Sequence, residues 1–289
     1  LHGRFVPIQF GGGHSAADGI DAGSPICHSA RPMPSLPLIA GLGEIASRYE
    51  ALVCDVWGVI HNGREAFPGV VACLKSFRAQ GTVLLLSNAP RPSGPIREQL
   101  TSLGIPPDAY HAVVTSGDLT RRLLAEKAEG GMPFKVHHVG PDRDLPLFQG
   151  LTVERVGMAE AQAIVCTGPF DDTKEGPDDY RDYWREALAR RLPFFCANPD
   201  YQVQRGDQLI YCAGALAQDY ERQGGHVLYL GKPHQPVYGF VDERLREFAG
   251  RAIPRGKWLA IGDGLKTDIA GATAAGIDAL LITGGVHEA

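Results

Sequence analysis

ALVCDVWGVIHNG, residues 51–63, is the stretch from which the fold is read. Leu52, Val53 and Cys54 make a short apolar run of the kind that forms a buried strand. The run breaks at Asp55, and the chain turns at Gly58. A lone aspartate after a strand more often satisfies a turn than performs chemistry. Three later stretches reverse that balance: LLLSNAPR (84–91), YLGKP (229–233) and IGDGLKTD (261–268). Each is apolar and then breaks into polar residues. Open α/β sheets place their ligand sites at the carboxyl ends of parallel strands. The groups presented there are Asp55, Asp263 and Asp268, the lysine Lys232, and the pair Ser87–Asn88. Carboxylates suit a divalent cation, while a lysine, a hydroxyl and an amide N–H suit phosphoryl oxygens. Turn formation and helix capping remain the plain alternatives for Asp55 and for the Asp263 loop, and a solvated surface lysine for Lys232.

Outward from these stretches the elements alternate. Val70, Leu74 and Phe77 fall at i, i+4, i+7 on a helix stopped by Gly81. A strand at 82–86, a helix carrying Ile96, Leu100 and Leu103, a strand at 111–115 and a helix at 117–128 follow. This β-α rhythm predicts an α/β fold, a Rossmann-like parallel sheet covered on both faces. The rhythm resets at Gly130–Gly131. Residues 132–225 carry their own strands, at 134–139, 151–156, 163–167 and 193–197, a charged helix near 178–191 and another near 213–223. They read as an inserted α/β unit. The first rhythm resumes with a strand at 227–230, so the core is assigned residues 36–131 and 226–289. Its last elements are a helix through Val237 and Phe248, a strand at 258–261, a helix at 267–275 and a strand at 279–282. Residues 1–35 are rich in Gly and Pro without periodicity and lack the basic and apolar regions of a signal peptide. They read as a disordered leader. GLGEIA (41–46) precedes the first strand of the rhythm, which rules out a dinucleotide fingerprint. Ile39, Leu42 and Ile45 suit a short amphipathic helix there. A Walker loop is excluded because Pro233 follows Lys232 and His226 stands where its first glycine would be.

The chain has 289 residues, enough for two modest cores, and a net charge of −5, which gives no basic footprint for nucleic acid. No apolar run is long enough for a membrane span. The six cysteines form no C-x-x-C pair, and most lie in apolar runs. They read as reduced thiols of a cytoplasmic protein.

In order and spacing, the four stretches resemble the four motifs of the haloacid dehalogenase superfamily. CTGPFDD (166–172), FCANPDY (195–201), GDQLIYCAGALAQDY (206–220) and GKPHQPVY (231–238) resemble its class IIA subgroup, whose first motif reads DVWGV. The resemblance runs from about residue 38 to the end. It implies that 132–225 is a class IIA cap domain and that the activity is Mg²⁺-dependent hydrolysis of small phosphorylated metabolites, sugar phosphates among them. Asp55 would be the nucleophile and form an aspartyl-phosphate. Ser87, Asn88 and Lys232 would bind phosphate. Asp55, Asp263 and the backbone carbonyl of Trp57 would hold the metal, and Asp268 would orient that shell and Lys232. The cap loop 197–206 would face the site, with Asp200 and Tyr201 selecting substrate. Homo-oligomer formation stays open.

One position departs from the pattern. The family's phosphatases carry a second aspartate two residues after the nucleophile, which protonates the leaving oxygen and then activates water. Here that residue is Trp57. Loss of an acid–base group costs about 10²–10⁴ in rate. Aryl and acyl phosphates, which leave without a proton, are therefore expected to react faster than alkyl phosphates. A phosphotransferase, a hydrolase restricted to activated phosphates, and a phosphometabolite-binding protein without turnover are the alternatives. His61 is the nearby substitute, although a loop histidine more often packs. The family also continues past a strand such as 279–282 through another helix and strand, so that strand is expected to expose a sheet edge.

Overall fold

The computed structural model describes residues 5–8, 38–128, 130–205 and 208–283. In chain order the elements begin with β1 (Phe5–Ile8), β2 (Ala51–Asp55), α1 (Val70–Arg78), β3 (Thr82–Ser87), α2 (Ser93–Ser102), β4 (Ala112–Thr115) and α3 (Ser116–Lys127). There follow β5 (Phe134–Val139), β6 (Val153–Arg155), β7 (Ala163–Cys166), α4 (Arg185–Ala189), β8 (Phe194–Cys196), β9 (Gln202–Arg205), β10 (Gln208–Tyr211), α5 (Ala213–Arg222) and β11 (Val227–Tyr229). The last are α6 (Gln235–Ala249), β12 (Trp258–Gly262), α7 (Ala270–Ala275) and β13 (Asp278–Ile282).

The motif strands lie side by side. The first sheet runs β1-β13-β12-β2-β3-β4, parallel from β13 to β4. Asp55 stands opposite Leu86, and Ile261 stands opposite Cys54. The residues that follow these strands therefore leave the sheet at one edge. Both faces are covered, as the near-continuous apolar strands require. Leu52, Cys54, Val83 and Leu85 pack with Val70, Leu74 and Phe77 of α1 and with Ile96 and Leu100 of α2. Val53, Leu84, Leu86 and Val114 pack on the other face with Leu119 and Leu124 of α3 and Val237, Val241 and Leu245 of α6. The predicted i, i+4, i+7 stripe of α1 is its buried face.

The second sheet runs β11-β8-β7-β5-β6, all parallel, with a separate β9–β10 hairpin. One face is sealed by an aromatic cluster of Tyr180, Trp184, Phe194 and Tyr220. The other face, through Val136, Val165 and Phe195, joins the apolar cluster under α3.

Several expectations change. The strand at Val227–Tyr229 does not resume the core: it pairs in parallel with β8, and the chain returns to the first sheet's site only at Leu230–Lys232. Periodicity identifies a strand but cannot say which sheet it joins. The boundary at residue 226 therefore falls too early for the sheet it was meant to divide. Within the predicted leader, Phe5–Ile8 is a strand, antiparallel to β13 with Phe5 opposite Ile282. The outer side of β13 is thus paired, and Pro7 sits where an edge strand tolerates a missing N–H. The rest of the leader, and the residues after 283, lie outside the described residues. The charged helix near 178–191 shrinks to a 3₁₀ turn, Pro177–Tyr180, and the five-residue α4. Asp178, Asp179 and Asp182 are poor helix formers, and Tyr180 and Trp184 are drawn into the aromatic cluster instead. The short helix before β2 is two 3₁₀ turns, Leu42–Glu44 and Ala46–Arg48. The helix after β12 opens with a π turn, Leu265–Ile269, before α7.

Candidate active site

Lys232 is the centre of the site. Its ammonium donates to Asp55 Oδ1 at 2.5 Å and to Asp268 Oδ1 at 2.6 Å, and the side chains of Lys232, Asp55 and Asp268 are only 4%, 11% and 6% exposed. Burial works against the ammonium form, but the Asp268 and Asp55 carboxylates more than reverse it, so Lys232 stays protonated far above any working pH. Burial and the negative charge of Asp268 push the Asp55 carboxyl up, with Lys232 opposing. Carboxylate oxygens of Asp55, Asp263 and Asp268 lie within 4.8 Å of one another. Three carboxylates against one ammonium make a hard-oxygen, net-negative pocket of the kind that takes a small divalent cation.

The local chain explains the convergence. Asp55 ends β2, and Asp263 directly follows β12. Asp268 comes back from the π turn, where its Oδ2 accepts from the Gly264 N–H and the Thr267 hydroxyl, both at 3.2 Å. Lys232 is set by Asn88. Asn88 Oδ1 accepts from the Lys232 N–H at 2.8 Å, and Asn88 Nδ2 donates to the Lys232 carbonyl at 3.0 Å and to Asp200 Oδ1 at 2.8 Å. The Asn88 side chain, assigned to phosphate from the sequence, is thus committed to positioning. Ser87 ends β3 one residue past the partner of Asp55, and its Oγ accepts from the Ala89 N–H at 3.2 Å.

Trp57 is 37% exposed and meets His61 edge-on, with ring centroids 5.4 Å apart. Gly63 has φ +88°, and a Cβ there would lie 2.3 Å from the end of the Trp57 ring, so the indole needs a glycine beneath it. His61 is buried, which lowers its pKa, and its Nδ1 accepts from the Gly63 N–H at 2.9 Å. It packs and braces the turn, as a loop histidine usually does. Asp200, in the loop after β8, reaches the cluster through Asn88. Tyr201 does not: it is 42% exposed and packs edge-on against Tyr211 of the hairpin.

Residues not foreseen complete the arrangement. Ser116 is buried at the start of α3 and donates to Asn88 Oδ1 at 3.4 Å. Gly231 is walled in: a Cβ would lie 2.2 Å from Ser116 Oγ and 2.5 Å from Asn88 Oδ1. The glycine before Lys232 was the only sequence signal of that crowding. Around the second sheet, Arg143 and Arg205 both bind the buried Asp172 carboxylate. Five cysteines, at positions 54, 73, 166, 196 and 212, are free. No helix of the described residues is long and apolar enough to cross a membrane.

A strand-end aspartate, a buried lysine and a second acidic loop in this order define a haloacid dehalogenase-type site. The pattern of the haloacid dehalogenase-like hydrolases matches residues 52–153, and a second pattern of the same superfamily matches residues 229–289. A crystal structure of a haloacid dehalogenase-like hydrolase from Brucella suis 1330 is 46% identical, covers 85% of this chain and 89% of its own, and superposes with a TM-score of 0.78. The chain belongs to this family, in its class IIA type. The ribonucleotide monophosphatase NagD of Escherichia coli (strain K12) is 24% identical over 82% of this chain and 88% of its own length. The glycerol phosphate phosphatase of Mycobacterium tuberculosis, solved with calcium, is 24% identical, covers 84% of this chain and 68% of its own, and shares the fold with a TM-score of 0.62.

Proposed function

We propose that this chain is a Mg²⁺-dependent phosphatase of small phosphorylated metabolites, sugar phosphates among them, working through a phosphorylated Asp55. The observation that carries the reading is the buried Lys232 ammonium, held between Asp55 and Asp268 at 2.5 and 2.6 Å with Asp263 in the same cluster. A lysine so held is a fixed positive charge beside the nucleophile, where a phosphoryl oxygen would lie. Asp55 attacks phosphorus, and Lys232 takes up charge that the phosphoryl oxygens carry. Ser87 supplies its hydroxyl to one of those oxygens. Asp268 holds Lys232 in line. Asp55, Asp263 and the Trp57 carbonyl are the ligands for Mg²⁺, which when bound would neutralise phosphoryl charge. The names of the NagD and glycerol phosphate phosphatase relatives support phosphorylated small molecules as substrates. The free, mostly buried cysteines fit a reducing compartment such as the cytoplasm.

The second sheet, from residue 132 to Tyr229, serves as the cap, and the Asn88–Asp200 hydrogen bond supports its seating over the strand ends. Trp57 in the usual acid–base position favours a second reading, in which only activated phosphates react, phosphoryl groups pass to another acceptor, or ligand binds without turnover. The test is a phosphometabolite panel run on the intact protein with and without Mg²⁺, beside Asp55→Asn. Metal-dependent phosphate release that Asp55→Asn abolishes is expected. Binding of phosphometabolites without release would overturn the phosphatase reading in favour of a binding protein.

A further inference from the structure

Trp57 leaves the site without the carboxylic acid that a poor leaving group needs, and the buried His61 is committed to the Gly63 N–H. One other carboxyl group reaches the cluster. Asp200 lies in the loop after β8, and the Asn88 amide that holds the Lys232 carbonyl also holds Asp200 Oδ1, at 2.8 Å. Asn88 thus ties the Asp200 carboxyl of the second sheet to the backbone of Lys232, whose ammonium, at the far end of the side chain, meets Asp55. In this arrangement Asp200 is gripped through one oxygen, which leaves Oδ2 as the oxygen to carry a proton. Its backbone is fixed as well: the Asp200 N–H donates to Asn198 Oδ1 at 3.2 Å, and its carbonyl accepts from the Gly214 N–H at 3.1 Å.

We infer that Asp200 is the general acid and base of this enzyme, given the phosphatase reading above, and takes the place that Trp57 leaves vacant. In the first step a new bond forms between an Asp55 carboxylate oxygen and phosphorus while the bond from phosphorus to the leaving oxygen breaks. The electron pair of that bond goes to the leaving oxygen, which takes the proton from Asp200. In the second step Asp200, now a carboxylate, takes a proton from water as the water oxygen bonds to phosphorus. The Asp55–phosphorus bond breaks with its electron pair returning to Asp55. Phosphate leaves, and Asp200 is protonated again. The surroundings shift the balance towards the protonated form. Burial raises its pKa, and the negative charges of Asp268 and Asp263 raise it further, against the Asn88 hydrogen bond and the Lys232 ammonium, which lower it.

The test compares the intact protein with Asp200→Asn on two substrates of similar shape, p-nitrophenyl phosphate and phenyl phosphate. Nitrophenolate is the weaker base and leaves without a proton, while phenolate gains from one. Asn keeps the oxygen that accepts from Asn88. The expected result is that kcat/KM, which reports the first step, falls at least about ten-fold more for phenyl phosphate than for p-nitrophenyl phosphate. A burst of nitrophenol equal to the enzyme present is also expected, because the phosphorylated Asp55 waits for an unactivated water. Equal falls on both substrates would show that Asp200 only positions Asn88 and Lys232, and would overturn the inference. So would no change on either. Failure of the intact protein to release phosphate from both substrates would instead overturn the phosphatase reading itself.

Discussion

Asn88→Ala removes the side chain that ties Lys232 to Asp200. Asn88 is 5% exposed, and its three hydrogen bonds to these two residues are 2.8, 2.8 and 3.0 Å long. Alanine strands the N–H and C=O of Lys232, and an unsatisfied buried polar group costs about 1–3 kcal/mol. The bond to the Asp200 carboxyl adds about 1.5–3 kcal/mol if that group is charged. Groups that share one partner do not add simply, so a net loss of about 3–5 kcal/mol is expected. For a chain of this size that corresponds to a fall in Tm on the order of 10 °C. Urea denaturation followed by circular dichroism measures the loss, and release of p-nitrophenol under the same buffer measures the site. kcat/KM should fall with stability, because the Lys232 ammonium loses its backbone anchor. A loss below about 1 kcal/mol with unchanged kcat/KM would show that the clamp contributes nothing and would refute the reasoning.

Gly231→Ala should destabilise by about 1–3 kcal/mol through overpacking against Ser116 Oγ and Asn88 Oδ1, and Ser116→Ala in the same chain should recover part of that loss; urea midpoints of the two variants check it. His138 is lowered to about 4 by burial, with Arg155 and His137 adding. Its unfolded pKa is about 6.5, so the unfolded chain binds the extra proton first, and stability is lost as pH falls from about 6.5 towards 4. His138→Gln should flatten that limb by about 2 kcal/mol, read from urea midpoints between neutral and acid pH. Mg²⁺ should raise the Tm of the intact protein by an amount that grows with the logarithm of its concentration above Kd, and Asp263→Asn should abolish most of that rise; calorimetric scans with and without Mg²⁺ decide it.

The core of the site was legible because parallel sheets convert sequence order into place. Asp55, Ser87 and Asp263 each stand at or just past the end of a strand, and neighbouring parallel strands end at one edge. The apolar runs were therefore enough to bring them together. Partnership across long separations was not legible. Asn88 and Lys232 are 144 residues apart, and nothing in SNAPR or LGKP says that the amide turns towards the lysine backbone instead of outward. The sheet to which β11 belongs was hidden for a related reason: Val227–Tyr229 is as apolar as a core strand, and only its pairing with β8 assigns it. Phe5–Ile8 was obscured by the aperiodic Gly- and Pro-rich sequence around it. Asp200 and Tyr201 are adjacent in one loop, yet one faces the cluster and the other the hairpin, a difference set by tertiary packing.

The Asn88 side chain lies against the Lys232 peptide as an adjoining strand would, giving and taking one hydrogen bond, while the same NH₂ group grips Asp200. That nitrogen has two hydrogens, and one goes to Lys232 and the other to Asp200. The latch that holds the loop after β8 in place is therefore also part of the mount of the buried ammonium, so a single side chain sets the loop of one sheet and the fixed cation of the other in register.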